Sequence, residues 1–169
     1  DWSSDVCSSD LRITAKLLYT IYFCMTIVMM ILLLIGKMPL FDSICMSFGA
    51  AGTGGFACRN SGQADYTVYQ QGVITVFMLL FGVNFNVYYL MLIRKPKDAF
   101  RCEELRGYLA IVVIAILLIT INIRSLFPSL FMAFHQAAFQ VSSIITTTGY
   151  STIDYNVWPE FSKSILLLI

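Results

Sequence analysis

Long uncharged apolar runs alternate along this chain with shorter apolar stretches that lead into glycine. Leu17 to Gly36, Gly72 to Ile93 and Gly107 to Ile123 each proceed without a charged residue, and a helix that crosses a bilayer core takes about 20 mostly apolar residues. Three membrane-spanning helices are predicted. A fourth apolar run starts after Lys163 and is still hydrophobic at Ile169, so a further span is expected that the sequence enters without completing, which reads as truncation. Two other stretches, Phe41 to Ala50 and Ser129 to Ile145, are too short or too polar to span and read as re-entrant helices. Asp42 or Ser43 is placed to cap the first, and Pro128 stands where a helix start tolerates it. Non-helical backbone at membrane depth is tolerated only where protein or a water-filled cavity surrounds it. A short helix ending in a glycine-rich turn therefore implies a pore or a binding site.

Composition agrees with a bilayer as solvent: 58% of the 169 residues are hydrophobic and 12% charged, against about 25% charged in soluble domains. The polar start, Asp1 to Leu11, has no amphipathic period and resembles a translated sequencing adapter, so 1–11 is set aside as a non-native scar. Without Asp1, Asp5 and Asp10, 11 basic residues face seven acidic ones. Five basic residues, Arg94, Lys95, Lys97, Arg101 and Arg106, crowd one loop, and Arg12 and Lys16 precede the first span on the same side. Lys and Arg concentrate in cytoplasmic loops, so 95–106 is expected to be a cytoplasmic linker. Cys24, Cys45, Cys58 and Cys102 have neither CxxC nor Cys/His spacing and read as packing residues.

The chain repeats itself. Span, short helix, Thr53-Gly54-Gly55-Phe56, span is followed by span, short helix, Thr147-Thr148-Gly149-Tyr150 and the start of a span, with the central glycines 94 residues apart. Either tetrapeptide alone reads as a helix-ending glycine turn. Two in matched places suggest a shared task. Replacing the hydration shell of a cation requires successive backbone carbonyls turned toward one axis, and Gly55 and Gly149 can take positive φ at little steric cost. The short helices would aim their partially negative C-terminal ends at the pathway, favouring cations. An anion site at a helix N-terminus has the polarity reversed, because these glycines follow their helices.

The runs FQVSSIITTTGYSTIDYNVWP (Phe139 to Pro159), GTGGFACRNSG (Gly52 to Gly62) and GVNFNVYYL (Gly82 to Leu90) resemble the pore-forming subunit of the Trk/Ktr/HKT potassium transporters, closest to the TrkH branch. The resemblance covers nearly all of Arg12 to Ile169. It implies an all-α integral membrane fold of tandem repeats, each a transmembrane helix, a re-entrant pore helix with its filter loop, and a transmembrane helix. On this reading 12–94 corresponds to the second of four repeats and 107–169 to most of the third. Carried over, Thr53, Gly54, Gly55 and Phe56 would line one quadrant of a potassium filter and Thr147, Thr148, Gly149 and Tyr150 another, with K+ as the transported ion and no organic cofactor. The family further implies a multi-pass protein of the inner membrane in contact with lipid, a homodimer, and a cytoplasmic nucleotide-binding regulatory subunit; no nucleic-acid partner is expected. Glycine at both central positions accompanies potassium preference in the family, and serine in one quadrant can admit sodium.

The remaining residues have plainer readings. His135, the single histidine, is a candidate proton relay but reads first as a helix-end side chain bonded to a neighbour. Arg124 and Asp154 read as snorkelling or capping residues, and Tyr88, Tyr89 and Trp158 as interface anchors. HExxH, GxSxG, paired intramembrane aspartates and Cys/His clusters are all missing from the sequence, and Ser142 or Ser143 with His135 is the one pairing left for a hydrolase. The competing functional classes are a sodium/potassium or other monovalent cation transporter and a non-conducting membrane scaffold.

Overall fold

The computed structural model describes residues 2–58, 62–92 and 102–169, with the side chains of 2–14, 85, 86, 89 and 92 outside the description. Among the described residues all regular structure is helical, in the order α1 (Trp2–Ile35), α2 (Leu40–Ala51), α3 (Val68–Phe81), α4 (Phe85–Leu92), α5 (Glu103–Ile123), α6 (Leu130–Ile145) and α7 (Glu160–Leu168). The segments Ala15–Ile35 and Glu103–Leu126 are long and apolar enough to cross a membrane. Their outer faces are bare hydrocarbon: Phe23 and Ile31 on α1, and Val113, Ile114, Leu117 and Ile121 on α5, are all exposed. In water so large an apolar surface would be a liability. Against lipid tails it carries no such cost.

Two units with the same helix order lie side by side. In the first, α2 and α3 pack on α1; in the second, α6 and α7 pack on α5; α3 against α6 joins them. Met29, Leu33, Met46, Ile74 and Met78 fill the first unit's core with no exposure, and Phe139 and Tyr150 of the second unit reach into that same cluster. Leu79 makes the return crossing. Since lipid leaves no hydrophobic force between helices, close packing and interhelical hydrogen bonds must hold such units together. Asn122 Nδ2 to Ser162 Oγ, 2.7 Å, ties α5 to α7 in this way.

The uncharged run Gly72 to Ile93, expected as one span, is two helices broken at Gly82. A Cβ at Gly82 would lie 2.7 Å from Thr146 Cγ2 and 2.8 Å from the Tyr108 hydroxyl, so only glycine lets α5 and the end of α6 approach. Breaking a helix frees carbonyls that hydrocarbon cannot satisfy. Three tyrosine hydroxyls from three helices take them: Tyr108 donates to Leu79 O at 3.2 Å, Tyr88 to Leu80 O at 2.6 Å and Tyr22 to Phe81 O at 3.1 Å.

Other expectations are corrected as well. Trp158, expected at a membrane interface, is 2% exposed in the second unit's core, where helix packing claims the ring before lipid can. Neither Asp42 nor Ser43 caps α2, whose N-cap position is Pro39; Asp42 lies in the first turn, complementing the helix dipole, and receives the Tyr66 hydroxyl at 3.4 Å. At α6 the cap is Ser129, accepting from Phe131 N at 3.3 Å. Asp154 caps its 3-10 turn, as expected, by accepting from Asn156 N at 2.9 Å. Arg59, the basic stretch Arg94 to Arg101 and the Tyr89 side chain lie outside the described residues.

Candidate functional site

Helices α2 and α6 end in the same three-bond motif, to which α6 adds Gly149 N to Ser143 O at 3.2 Å. After α2, Gly52 N reaches Phe48 O at 2.8 Å, Thr53 N reaches Ala50 O at 3.4 Å and Gly54 N reaches Gly49 O at 2.8 Å. After α6, Thr146 N reaches Ser142 O at 3.2 Å, Thr147 N reaches Ile144 O at 2.9 Å and Thr148 N reaches Ser143 O at 2.9 Å. Every donor and acceptor in the second set lies 94 positions beyond its counterpart in the first. The last two bonds of each set form a Schellman cap, whose left-handed position normally holds glycine. Here it holds threonine, with φ +49° at Thr53 and +57° at Thr147. A β-branched residue at positive φ is an outlier, at a cost of roughly 1–2 kcal/mol. Two residues on, Gly55 and Gly149 return to positive φ, +68° and +79°. The motif is thus a helix cap and a strained loop at once, and the sequence reading had set these against each other.

The two loops meet at their glycines. A Cβ on Gly55 would fall 2.5 Å from the Thr148 carbonyl oxygen and 3.7 Å from Gly149 Cα. Of the eight candidate residues, Thr53, Gly54, Phe56, Thr147 and Gly149 are exposed, Gly55 is half-buried, and Thr148 and Tyr150 are buried. Gly55, Thr148 and Gly149 come together. Phe56 stands apart from them, and Tyr150 sits behind the loops.

That backing is polar. Ser143 Oγ donates to Tyr150 O at 2.6 Å, and the Thr146 and Thr148 hydroxyls bond each other at 2.8 Å. Gln63 N donates to Ser151 O at 3.1 Å. Gln71 Nε2 donates to Gln63 O at 2.9 Å, and Gln71 Oε1 meets His135 Nε2 at 3.0 Å. The Thr152 hydroxyl donates to Gln136 Oε1. Burial pushes the His135 imidazole below its ordinary value, so it stays neutral at neutral pH. Burial likewise raises the Tyr150 phenol well above its usual range. His135 thus bonds a side chain 64 positions away, on α3.

Sequence reasoning missed Gly49. A glycine inside a helix costs about 0.5–1 kcal/mol relative to alanine, and that anomaly was the available signal. A Cβ there would be 2.1 Å from the Tyr150 hydroxyl. Among the described residues no group of three or more His, Cys, Asp or Glu side chains could hold a metal ion. What the loops present to a ligand is backbone, threonine hydroxyls and the negative ends of two helices.

No family model matches the chain. It is 32% identical over 161 residues to the Trk system potassium uptake protein TrkH of Vibrio parahaemolyticus, covering 91% of this chain and 33% of that protein. The Trk system potassium uptake protein TrkG of Escherichia coli is 29% identical over 158 residues, covering 92% and 33%. The crystal structure of the potassium transporter TrkH from Vibrio parahaemolyticus superimposes with a TM-score of 0.85 at 29% identity, over 92% of this chain and 34% of that one. The chain therefore spans about a third of the length of the relatives it matches. These relatives are membrane ion transporters rather than enzymes.

Proposed function

From the homology of this chain to a third of the Trk potassium uptake proteins, we propose that it forms two of the units around a potassium pore, with the α2 and α6 loops as half of the ion filter. The observation that carries this reading is the repeated cap, with positive φ at Thr53 and Gly55 and again at Thr147 and Gly149. Alternating the sign of φ along a chain rotates consecutive peptide planes, so that carbonyls can share one side. A dehydrated K+ needs such a row of oxygens.

Helices α2 and α6, 12 and 16 residues long, extend about 18 and 24 Å, short of a bilayer core of about 30 Å. They act as re-entrant pore helices whose C-terminal dipole ends face the ion. The strain in Thr53 and Thr147 is held by the Schellman bonds and by the polar backing, so the loops need little ordering when the ion arrives. Carbonyl dipoles supply the charge complement without an ionised side chain. The transporter is multi-pass in the inner membrane, and the homodimer and cytoplasmic regulatory subunit expected from the family complete it.

The test is rubidium uptake by the full-length protein in cells stripped of their own potassium-uptake systems. Uptake that excess potassium suppresses and excess sodium does not is the expected result. A protein inserted in the membrane together with its regulatory subunit but moving neither ion would contradict the reading.

A further inference from the structure

The limb that leaves Gly149 is held at two successive carbonyls, by donors from different units. Ser143 Oγ, on the helix that leads into the loop, donates to Tyr150 O at 2.6 Å. Gln63 N, from the segment between the first loop and α3, donates to Ser151 O at 3.1 Å. That approach favours glycine at position 62, where φ is +65° and a Cβ would stand 3.0 Å from the same Ser151 oxygen. Gln63 is held in turn. Its carbonyl accepts from Tyr66 N within its own turn at 3.3 Å and from Gln71 Nε2 on α3 at 2.9 Å. Gln71 Oε1 meets His135 Nε2 at 3.0 Å, and Gln63, Gln71 and His135 are all buried.

Hydrogen-bond chemistry gives this chain one direction. The Gln63 carbonyl only accepts, so the amide nitrogen of Gln71 must face it; the oxygen then faces His135, and the imidazole carries its proton on Nε2. Removing the Gln71 amide takes from Gln63 its tie to α3 and leaves a buried imidazole N–H without its acceptor. The residue on α2 that lies 94 positions before His135 is Phe41, whose ring offers no such donor. The imidazole end of the chain thus belongs to the second loop alone, although the two loops share their helix caps.

We infer that Gln71 is a positioning residue for ion selection. Seated on α3 of the first unit and oriented by His135, it sets through Gln63 where the limb after Gly149 lies, and with it the spread of the carbonyls that precede the limb. This rests on the filter reading above and adds that the second loop is set from the first unit's helix as well as from its own. Selection by carbonyls depends on how many oxygens reach the ion and how they are held. The caps at Thr147 and Thr148 do not involve Gln71, so losing its amide frees the limb without undoing the end of α6, and discrimination falls before assembly does.

The test measures rubidium and sodium uptake by the full-length protein in cells stripped of their own potassium-uptake systems, with Gly149→Ser as the reference for a damaged filter. Gln71→Met keeps the length of the side chain and removes its amide. The expected result is a rubidium-to-sodium ratio lowered about fivefold, the worth of one ordinary hydrogen bond, in protein inserted at the wild-type level, with the KM for rubidium raised more than the maximal rate is lowered. A second pair approaches the same amide from its other side: His135→Gln keeps a nitrogen donor toward Gln71 and is expected to retain more of the ratio than His135→Phe. Where Gln71→Met does not insert, this pair decides. An unchanged ratio in inserted Gln71→Met while Gly149→Ser lowers it, or equal ratios in the two His135 variants, would overturn the inference and leave the filter reading standing. A loss of inserted protein with the ratio and KM intact in what remains would overturn it too, as the mark of a merely structural side chain. A wild type with no preference between the two ions would overturn both.

Discussion

At the scale of single residues, Gly55 and Gly149 share a conformation but not a neighbourhood. Both have positive φ, so a side chain at either costs about 1–2 kcal/mol of backbone strain. At Gly149 a Cβ meets nothing nearer than Gly55 Cα at 3.9 Å, whereas at Gly55 it would press on the Thr148 carbonyl oxygen at 2.5 Å. That neighbour is backbone and cannot swing aside. Gly55→Ala is therefore expected to destabilise the protein more than Gly149→Ala, read as the larger drop in thermal midpoint in detergent. Equal drops would mean that the loops do not meet as described.

Between elements, one contact across the two units is Tyr150 over Gly49. Gly49→Ala is expected to impair uptake by displacing the Tyr150 ring and with it the second loop. Tyr150→Phe, which removes the clashing hydroxyl, is expected to restore most of the loss. The Tyr150 hydroxyl is buried without a hydrogen-bond partner among the described residues, so Tyr150→Phe alone is expected to be neutral or mildly stabilising. Additive effects in the double mutant, where contacting residues should couple by about 0.5–3 kcal/mol, would count against the contact. The loops themselves were legible in the sequence because the same residue types recur at one spacing. The Gly49 contact was not, since it joins residues 101 positions apart. Nor was the break at Gly82: the run from Gly72 to Ile93 is apolar throughout, and a lone glycine is tolerated in a helix. Only Thr146 and Tyr108, arriving from elsewhere in the chain, require it. Trp158 was misplaced for a related reason, because local sequence does not distinguish a ring at a lipid interface from one between helices.

For the molecule as a whole, the junction of the two units includes an imidazole link, His135 to Gln71. Because burial lowers the His135 pKa, its contribution to stability is complete above the unfolded value near 6.5 and is lost as pH falls below it. Thermal stability is expected to decline from pH 7 to pH 5 in the wild type and less steeply in His135→Gln, which keeps a hydrogen-bonding side chain but does not titrate there. Identical slopes would remove His135 from the junction's pH response. The larger question is whether these loops choose the ion, and Gly149→Ser asks it most directly, since a side chain there has room and the protein should still insert. The measurement is the ratio of rubidium to sodium uptake by the full-length protein, wild type against Gly149→Ser. The account predicts a wild type that strongly favours rubidium and a mutant whose ratio falls about tenfold, as a loss of about 1.4 kcal/mol in discrimination would give; an unchanged ratio in a well-inserted mutant would contradict it.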